Sequence, residues 1–383
     1  YLFYWFFEAD MDAAAAADAP LIVWTNGGPG CSAMEGATTE NGPLVLYRIK
    51  ESYELATGQL SANPYAWNKL GHVLYVDQPR YVGNSFGYGD EVTSSVDAGK
   101  DIVNFLQGWY DLFPEHASRD VVISGESYGG HYIPAWTNAI MDFNEAQAAD
   151  SGGGAAAIPL KGVAIGNGCV NDTVQGTEPY VEFLKENDLI PSSANPSNQG
   201  TADVLMQAHI GYDPNFYDFR VQDVSCGACY SYNYTEWSYW FLRDDVKEAL
   251  HICGEAGEDA FAGNAGGCIN LGGFDRGDTF DYSAALARAL DAGIDVTFYY
   301  GKNDLACNYK GGYDVATTLE WSGAEAFKSA PLTQVPGGQV QKYGGLSWHQ
   351  VDGAGHMVPL DQPSNAYSAI DELVAAFATR RSD

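Results

Sequence analysis

A mostly parallel α/β sheet flanked by helices is the fold class this sequence predicts, and three observations predict it. Short β-branched or aromatic runs alternate with stretches of helical spacing along most of the chain. One such run, Val121 to Ile123, passes through Gly125-Glu-Ser-Tyr-Gly129 into an apolar helical stretch carrying Tyr132, Ile133, Trp136 and Ile140. The composition, 46% hydrophobic with 25 Tyr, 17 Phe and 9 Trp, is enough for a large core within 383 residues.

The elements follow in order. The aromatic run 1–8 reads as a strand, followed by an Ala-rich acidic loop from Met11 to Pro20 and a second strand, Leu21 to Thr25. These two strands are expected to pair as a hairpin at a sheet edge. A chain that starts inside a strand-like run is expected to have its natural N-terminus, with any signal or pro-segment, further upstream. His72 to Val76 is the next buried strand, Val96 to Phe113 a helix, and Leu160 to Ile165 another strand ending at Gly166-Asn-Gly168. From about 172 to 280 cysteines and turns multiply, which suggests a cap-like insertion within one domain spanning 1–383. Helical pieces are expected there at Tyr180 to Asp188 and Arg243 to His251. The sheet pattern resumes with helix Tyr282 to Ala292 and strand Asp295 to Tyr300, then a hairpin-like Gln339 to Val351 and a helix Ser364 to Ala378.

Charge and cysteines narrow the setting. Fifty acidic against 19 basic side chains give a net charge of −31, which argues against nucleic acid or an anionic membrane as partner and suits an acidic milieu. No apolar run reaches the length of a membrane span. The seven cysteines lack zinc-type spacing, so disulfides are favoured over a metal, with one thiol left over. Sequons at Asn171 and Asn233 are compatible with glycosylation and secretion.

The strand–turn–helix around Ser127 is the setting of a nucleophile elbow, in which glycines flank a serine because the turn is too tight for side chains. A serine hydroxyl needs a base, and the base an orienting acid. In α/β-hydrolases these follow in the order Ser, Asp, His. Asp304 falls just past the strand 295–300, and His356 lies in a Gly-flanked loop before the last helix. Asp314 and Asp352 end no strand as cleanly, His349 sits in an alternating strand, and His131 is one turn beyond Ser127, where burial is expected. The loop Asn26-Gly-Gly-Pro-Gly-Cys-Ser32 has free amides for a developing oxyanion, although an ordinary turn would look the same locally. It lacks the Lys of a phosphate-binding loop.

With these pieces in place, the chain resembles the serine carboxypeptidase family. The matching stretches are Trp24 to Ser32, Glu40-Asn-Gly-Pro43, Asp77-Gln-Pro79, Gly125 to Pro134, Gly166-Asn-Gly168, Asp304 with Cys307-Asn308, and Gly353 to Pro359, in family order along nearly the whole chain. The resemblance implies an α/β-hydrolase fold and a serine-type peptidase that releases C-terminal residues at acidic pH through an acyl-enzyme, with no metal or cofactor. Ser127, Asp304 and His356 would be nucleophile, acid and base, and the amides of Gly28 and Tyr128 the oxyanion hole. Asn26, Gly27, Glu40 and Glu126 would bind the substrate carboxylate, the two acids sharing a proton. Cys31 would pair with Cys268, Cys307 would be the unpaired thiol, and Cys169, Cys226, Cys229 and Cys253 are left unassigned. Peptide or protein C-termini would be the substrate and the vacuole, lysosome or cell exterior the location; oligomeric state is open. The loop Arg80 to Asn84 departs from the family pattern, so no site residue is assigned there, and Met357 points to an apolar or broad side-chain preference over a basic one. Acyl transfer from a glucose ester, and a protective or binding role for the same fold, are the competing functions.

Overall fold

The computed structural model describes residues 1–49, 54–150, 155–212, 214–221, 235–252, 267–271, 273–274, 278–279 and 281–380. Its centre is a nine-stranded sheet in the order β1-β5-β2-β6-β7-β8-β11-β10-β9. The strands are β1 (Tyr4–Phe7), β2 (Leu21–Thr25), β5 (His72–Val76), β6 (Val121–Glu126), β7 (Leu160–Gly166), β8 (Asp295–Gly301), β9 (Thr333–Val335), β10 (Gly338–Tyr343) and β11 (Leu346–Val351). All pairs from β5 to β11 across the middle are parallel, and only the edges are antiparallel.

Strand alternation divides the core into two layers. Leu21 and Val23 of β2 point into one cluster, with Ile123, Val163 and Phe298, while Ile22 and Trp24 enter the other, with Val122, Ala164 and Tyr299. Helices α3 (Ser95–Leu112) and α4 (Gly129–Ala149) cover the first face; the C-terminal helix Pro363–Arg380 covers the second with Ala366, Ile370, Leu373 and Phe377. Central strands apolar on both faces are what a parallel sheet between two helical layers requires.

Two expectations are corrected. The stretch Met11 to Pro20 is not a loop throughout: Ala13–Asp18 form helix α1. Alanine has the best helix propensity, and Asp12 accepts from the amides of Ala14 and Ala15 at 3.0 and 2.9 Å, satisfying orphan donors at the N-terminus. Arg119 Nη1 donates to the carbonyls of Ala16, Ala17 and Ala19 at the other end. Nor do β1 and β2 form a hairpin. β5 lies between them, antiparallel to β1 with Tyr4 opposite Val76, and parallel to β2 with Leu21 opposite His72. β2 is buried at all five positions, so it belongs in the interior of the sheet rather than at its edge. A separate two-stranded sheet, β3 (Leu44–Ile49) with β4 (Glu54–Ala62), was not foreseen.

The helices Glu178–Glu186 and Asp244–Ala249 fall where the spacing places them, joined by Gln199–Ile210 and Thr235–Leu242. Among the described residues no helix is long and apolar enough to cross a membrane.

Candidate active site

The carboxyl edge of a parallel sheet gathers the loops that leave its strands, and here it gathers five. Ser127 follows β6 directly. Its φ is 59°, the left-handed region that a non-glycine residue adopts only when its surroundings enforce it. The enforcement is visible: Ser127 N donates to Gly166 O at 3.1 Å, and Ser127 O accepts from Gly130 N at 2.9 Å and Cys169 N at 3.0 Å.

Asp304 lies three residues past β8 and is fully buried. Its Oδ2 accepts from Asn167 Nδ2 at 2.8 Å and Cys307 N at 3.2 Å, and its Oδ1 from Ala306 N at 2.9 Å. Asn167 also accepts from Gly301 N at 2.8 Å, so the loop after β7 orients the acid that follows β8. His356, in the loop after β11, has its Nδ1 2.7 Å from the same Asp304 Oδ2. One imidazole nitrogen is therefore engaged by the carboxylate, and Nε2 has no hydrogen-bond partner among the described residues. Tyr217 braces the ring: the two rings stack at 4.1 Å and 16°, and His356 N donates to Tyr217 O at 2.7 Å. Tyr217 lines the same cavity as Ser127. The structure thus brings Ser127, Asp304 and His356 to one place. His349, on β11, is buried, and burial pushes its pKa down to about 3.

The loop after β2 lies against the elbow. A Cβ on Gly27 would sit 2.4 Å from Tyr128 N and 2.6 Å from Glu126 O, so only glycine permits this approach. Gly28, at φ 117°, and Tyr128 present their backbones beside Ser127, and Gly28 lines the same cavity as the serine. Asp77 holds the loop from below, accepting from Ser32 Oγ at 2.6 Å and Ala33 N at 2.8 Å.

Asn26, Glu40 and Glu126 form a second cluster in the site. Asn26 Oδ1 accepts from Trp24 Nε1 at 2.9 Å and Gly36 N at 3.0 Å, both obligate donors, which fixes the orientation of the amide. Its Nδ2 then donates to Glu40 Oε1 at 3.2 Å and Glu126 Oε1 at 3.0 Å. The two carboxyls are each 2% exposed and in hydrogen-bonding contact with each other. Burial, before any other cause, raises Glu40 to about 8 and carries Glu126 well above the carboxylate range, with the charge of Glu40 adding to the rise at Glu126. Such a pair holds a proton at acidic pH and can donate it.

A cavity of about 180 Å³ is lined by Asn26, Gly27, Gly28, Glu126, Ser127 and His356. Tyr217, Trp237, Glu35 and Met357 complete much of its wall. A larger cavity of about 810 Å³ between β1 and α3 contains none of these groups. Sequence reasoning missed Tyr217, Trp237, Glu35 and Asn167. Asn167 stood within a quoted Gly-Asn-Gly, and Glu35 stands five residues before Glu40; Tyr217 and Trp237 lie in the expected insertion, where nothing local marks them.

The disulfide Cys31–Cys268 ties the loop after β2 to residue 268, as the resemblance implied. The expectation for Cys307 is corrected. It is bonded to Cys169, because the loops after the adjacent strands β7 and β8 bring their Cα atoms to 5.4 Å. Cys226, Cys229 and Cys253, with Asn233, fall outside the described residues. Asn171 is 7% exposed and caps the helix Asp172–Gln175, accepting from Thr173 N and Val174 N, a setting that disfavours a glycan on the folded chain. His131 is buried as expected, 3.4 Å from Asp278, whose carboxylate also accepts from Ser95, Tyr128 and Tyr282 hydroxyls. These donors hold Asp278 well below the usual carboxylate range against the opposing effect of burial.

Comparison with known proteins identifies the family. The profile described as serine carboxypeptidase matches residues 1–210 and 201–376. Carboxypeptidase Y of Candida albicans is 32% identical over 413 residues, covering 98% of this chain and 71% of that protein. Carboxypeptidase Y homolog A of Fusarium vanettenii is 32% identical over 401 residues, covering 95% and 69%. The crystal structure of a prohormone-processing carboxypeptidase from Saccharomyces cerevisiae superposes with a TM-score of 0.78 at 26% identity, covering 98% of this chain and 86% of that one.

Proposed function

The chain belongs to the serine carboxypeptidase family and is a serine carboxypeptidase, and from that premise we propose that it releases C-terminal residues at acidic pH through an acyl-enzyme on Ser127. The observation that carries this reading is Asn26 Nδ2 bridging the buried Glu40 and Glu126, with Asn26 and Glu126 lining the cavity that Ser127 also lines.

His356 Nε2 takes the proton of Ser127 Oγ as the oxygen attacks the terminal peptide carbonyl, and Asp304 orients the imidazolium. The amides of Gly28 and Tyr128 receive the oxyanion. Collapse breaks the C–N bond, and His356 returns its proton to the leaving amine. Water, deprotonated by His356, then hydrolyses the ester and restores Ser127. Asn26, the Gly27 backbone and the Glu40–Glu126 pair hold the substrate's terminal carboxylate, the pair by donating its shared proton. The segment 172–280 acts as an inserted cap over the sheet, contributing Tyr217 and Trp237 to the cavity wall. The acidic surface suits the vacuole, the lysosome or the exterior of the cell.

The sign of the pH dependence follows from the pair. Below its raised pKa the proton is present and the carboxylate binds; as pH climbs through about 8 the pair becomes anionic and repels the substrate. KM for a peptide acid should rise roughly tenfold between pH 6 and 9 with kcat little changed. Folding stability shifts the same way: a carboxyl with a raised folded pKa favours the native state most at acid pH and loses that contribution as pH rises through the folded value. In Glu40→Gln/Glu126→Gln, which stays neutral, the KM limb should vanish while KM at pH 5 rises. Steady-state kinetics on an N-blocked dipeptide, with partition of the acyl group to an added amino-acid amide, tests both the pair and the acyl-enzyme. A limb that persists unchanged in the double variant would exclude the glutamates as its source.

A further inference from the structure

We propose that the disulfide Cys169–Cys307 is a positioning bond for catalysis: it ties the backbone that holds Ser127 to the backbone that holds Asp304, and so fixes nucleophile and base relative to each other. The inference rests on the carboxypeptidase mechanism above, in which Ser127, Asp304 and His356 do the chemistry. Cys169 N donates to Ser127 O at 3.0 Å. Cys307 N donates to Asp304 Oδ2 at 3.2 Å, the same oxygen that lies 2.7 Å from His356 Nδ1. The bond therefore joins two residues whose amides each grip one member of the triad.

Both ends of the bond are seated on rigid structure. On the nucleophile side, the left-handed φ of Ser127 persists only because its neighbours hold it. Cys169 is one of them, and its main chain presses on the first turn of α4: a Cβ on Gly130 would meet Cys169 O, C and N at 2.4, 2.5 and 2.7 Å. Movement of Cys169 away from the elbow would release a hydrogen bond at the strained serine. On the acid side, Cys307 is buried and precedes Asn308, which caps the helix Tyr309–Thr318 by accepting from Gly311 N at 2.9 Å. The covalent link thus runs from the helix behind the elbow to the helix behind the acid.

Non-covalent ties cross the same gap. Asn167 Nδ2 donates to Asp304 Oδ2 at 2.8 Å, and Asn308 Nδ2 reaches Gln175 O at 3.4 Å, the long end of the hydrogen-bond range. These remain when the bond is cut, so its loss loosens the triad without dispersing it. Neither cysteine is among the described residues that line the cavity at Ser127. The bond therefore acts on the reacting groups and not on substrate, which places its effect in kcat rather than KM. A link between residues 138 apart also restricts the unfolded chain, so cutting it lowers stability whatever else it does. Only the kinetics of the folded protein separate the two roles.

The test compares wild type, Cys169→Ser, Cys307→Ser and the double variant on an N-blocked dipeptide acid, well below the melting temperature of each, with circular dichroism reporting the fold. In each variant kcat should fall about tenfold with KM within about twofold, less than the ~10²-fold that a full 1 Å misplacement costs. The double variant should be no worse than either single one, because the bond is lost only once. The rate at which a fluorophosphonate labels Ser127 should fall by the same factor, independently of the peptide. Wild-type kcat in a folded double variant with a lowered melting temperature would overturn the proposal. So would single effects that multiply in the double variant, since each cysteine would then act through its own packing. Loss of the fold in all three variants would assign the bond to stability alone and overturn it too. A wild type that reacts with the fluorophosphonate but releases no C-terminal residue would instead overturn the carboxypeptidase reading, and the labelling rates would still decide the role of the bond.

Discussion

Replacing Asp304 by Asn should lower kcat by about 10⁴ while KM stays within a few-fold, because the change removes orientation of the base and not contact with substrate. Asp304 Oδ2 lies 2.7 Å from His356 Nδ1, and the carboxylate is held by Asn167 Nδ2 and the amides of Ala306 and Cys307. An asparagine of the same shape would present either an NH₂ toward those donors or an NH₂ toward the histidine. In the second case it would stabilise the tautomer with its proton on Nε2, which cannot accept the proton of Ser127. The fold should survive, because the volume is unchanged. Circular dichroism and turnover of an N-blocked dipeptide check the two halves of this expectation. A variant within tenfold of the wild type would mean that a different acid orients His356.

Gly27→Ala should be the second most damaging single change, lowering kcat by about 10²–10³, the usual effect of losing one oxyanion donor. The added methyl would meet Tyr128 N at 2.4 Å, Glu126 O at 2.6 Å and Ser127 Cβ at 2.8 Å, none of which is the end of a flexible side chain. The loop after β2 and the elbow must therefore separate, and with them the amides of Gly28 and Tyr128. The same movement pulls Asn26 from Glu126, so KM for a peptide acid should rise as well. That joint effect separates this variant from Asp304→Asn, in which only kcat falls. Wild-type kinetics with Gly27→Ala would show that the two segments are not packed this tightly.

The parts of the site that were legible in the sequence are those set by local geometry. The elbow at Ser127 needs a strand, a glycine-flanked turn and a helix within about twenty residues, and all three are written contiguously. Asp304 and His356 could be placed because each follows a strand whose pattern is unambiguous. Pairing between distant segments was less readable. β1 and β2 are neighbours in sequence and look like a hairpin, yet their partners are decided by the burial of β2 on both faces, which a short aromatic run does not announce. The alanines at 13–17 read as loop because of the acidic residues around them, although Asp12 is a helix cap. Cys307 shows the limit of resemblance: the family pattern suggested a free thiol, but this chain carries Cys169 on the adjacent loop, where a partner is within bonding distance. Tyr217 has no sequence signal at all, since its role arises only when its ring meets His356.

In the proposed mechanism Asn26 and the Glu40–Glu126 pair recognise the substrate's own C-terminal carboxylate. Comparing an N-blocked dipeptide acid with its C-terminal amide, at pH 5 and pH 9, tests it most directly. Recognition by the pair predicts a lower KM for the acid at pH 5, and a loss of that advantage at pH 9 because only the acid is repelled by the ionised pair. Equal KM values for acid and amide at pH 5, with both substrates turned over at Ser127, would contradict it.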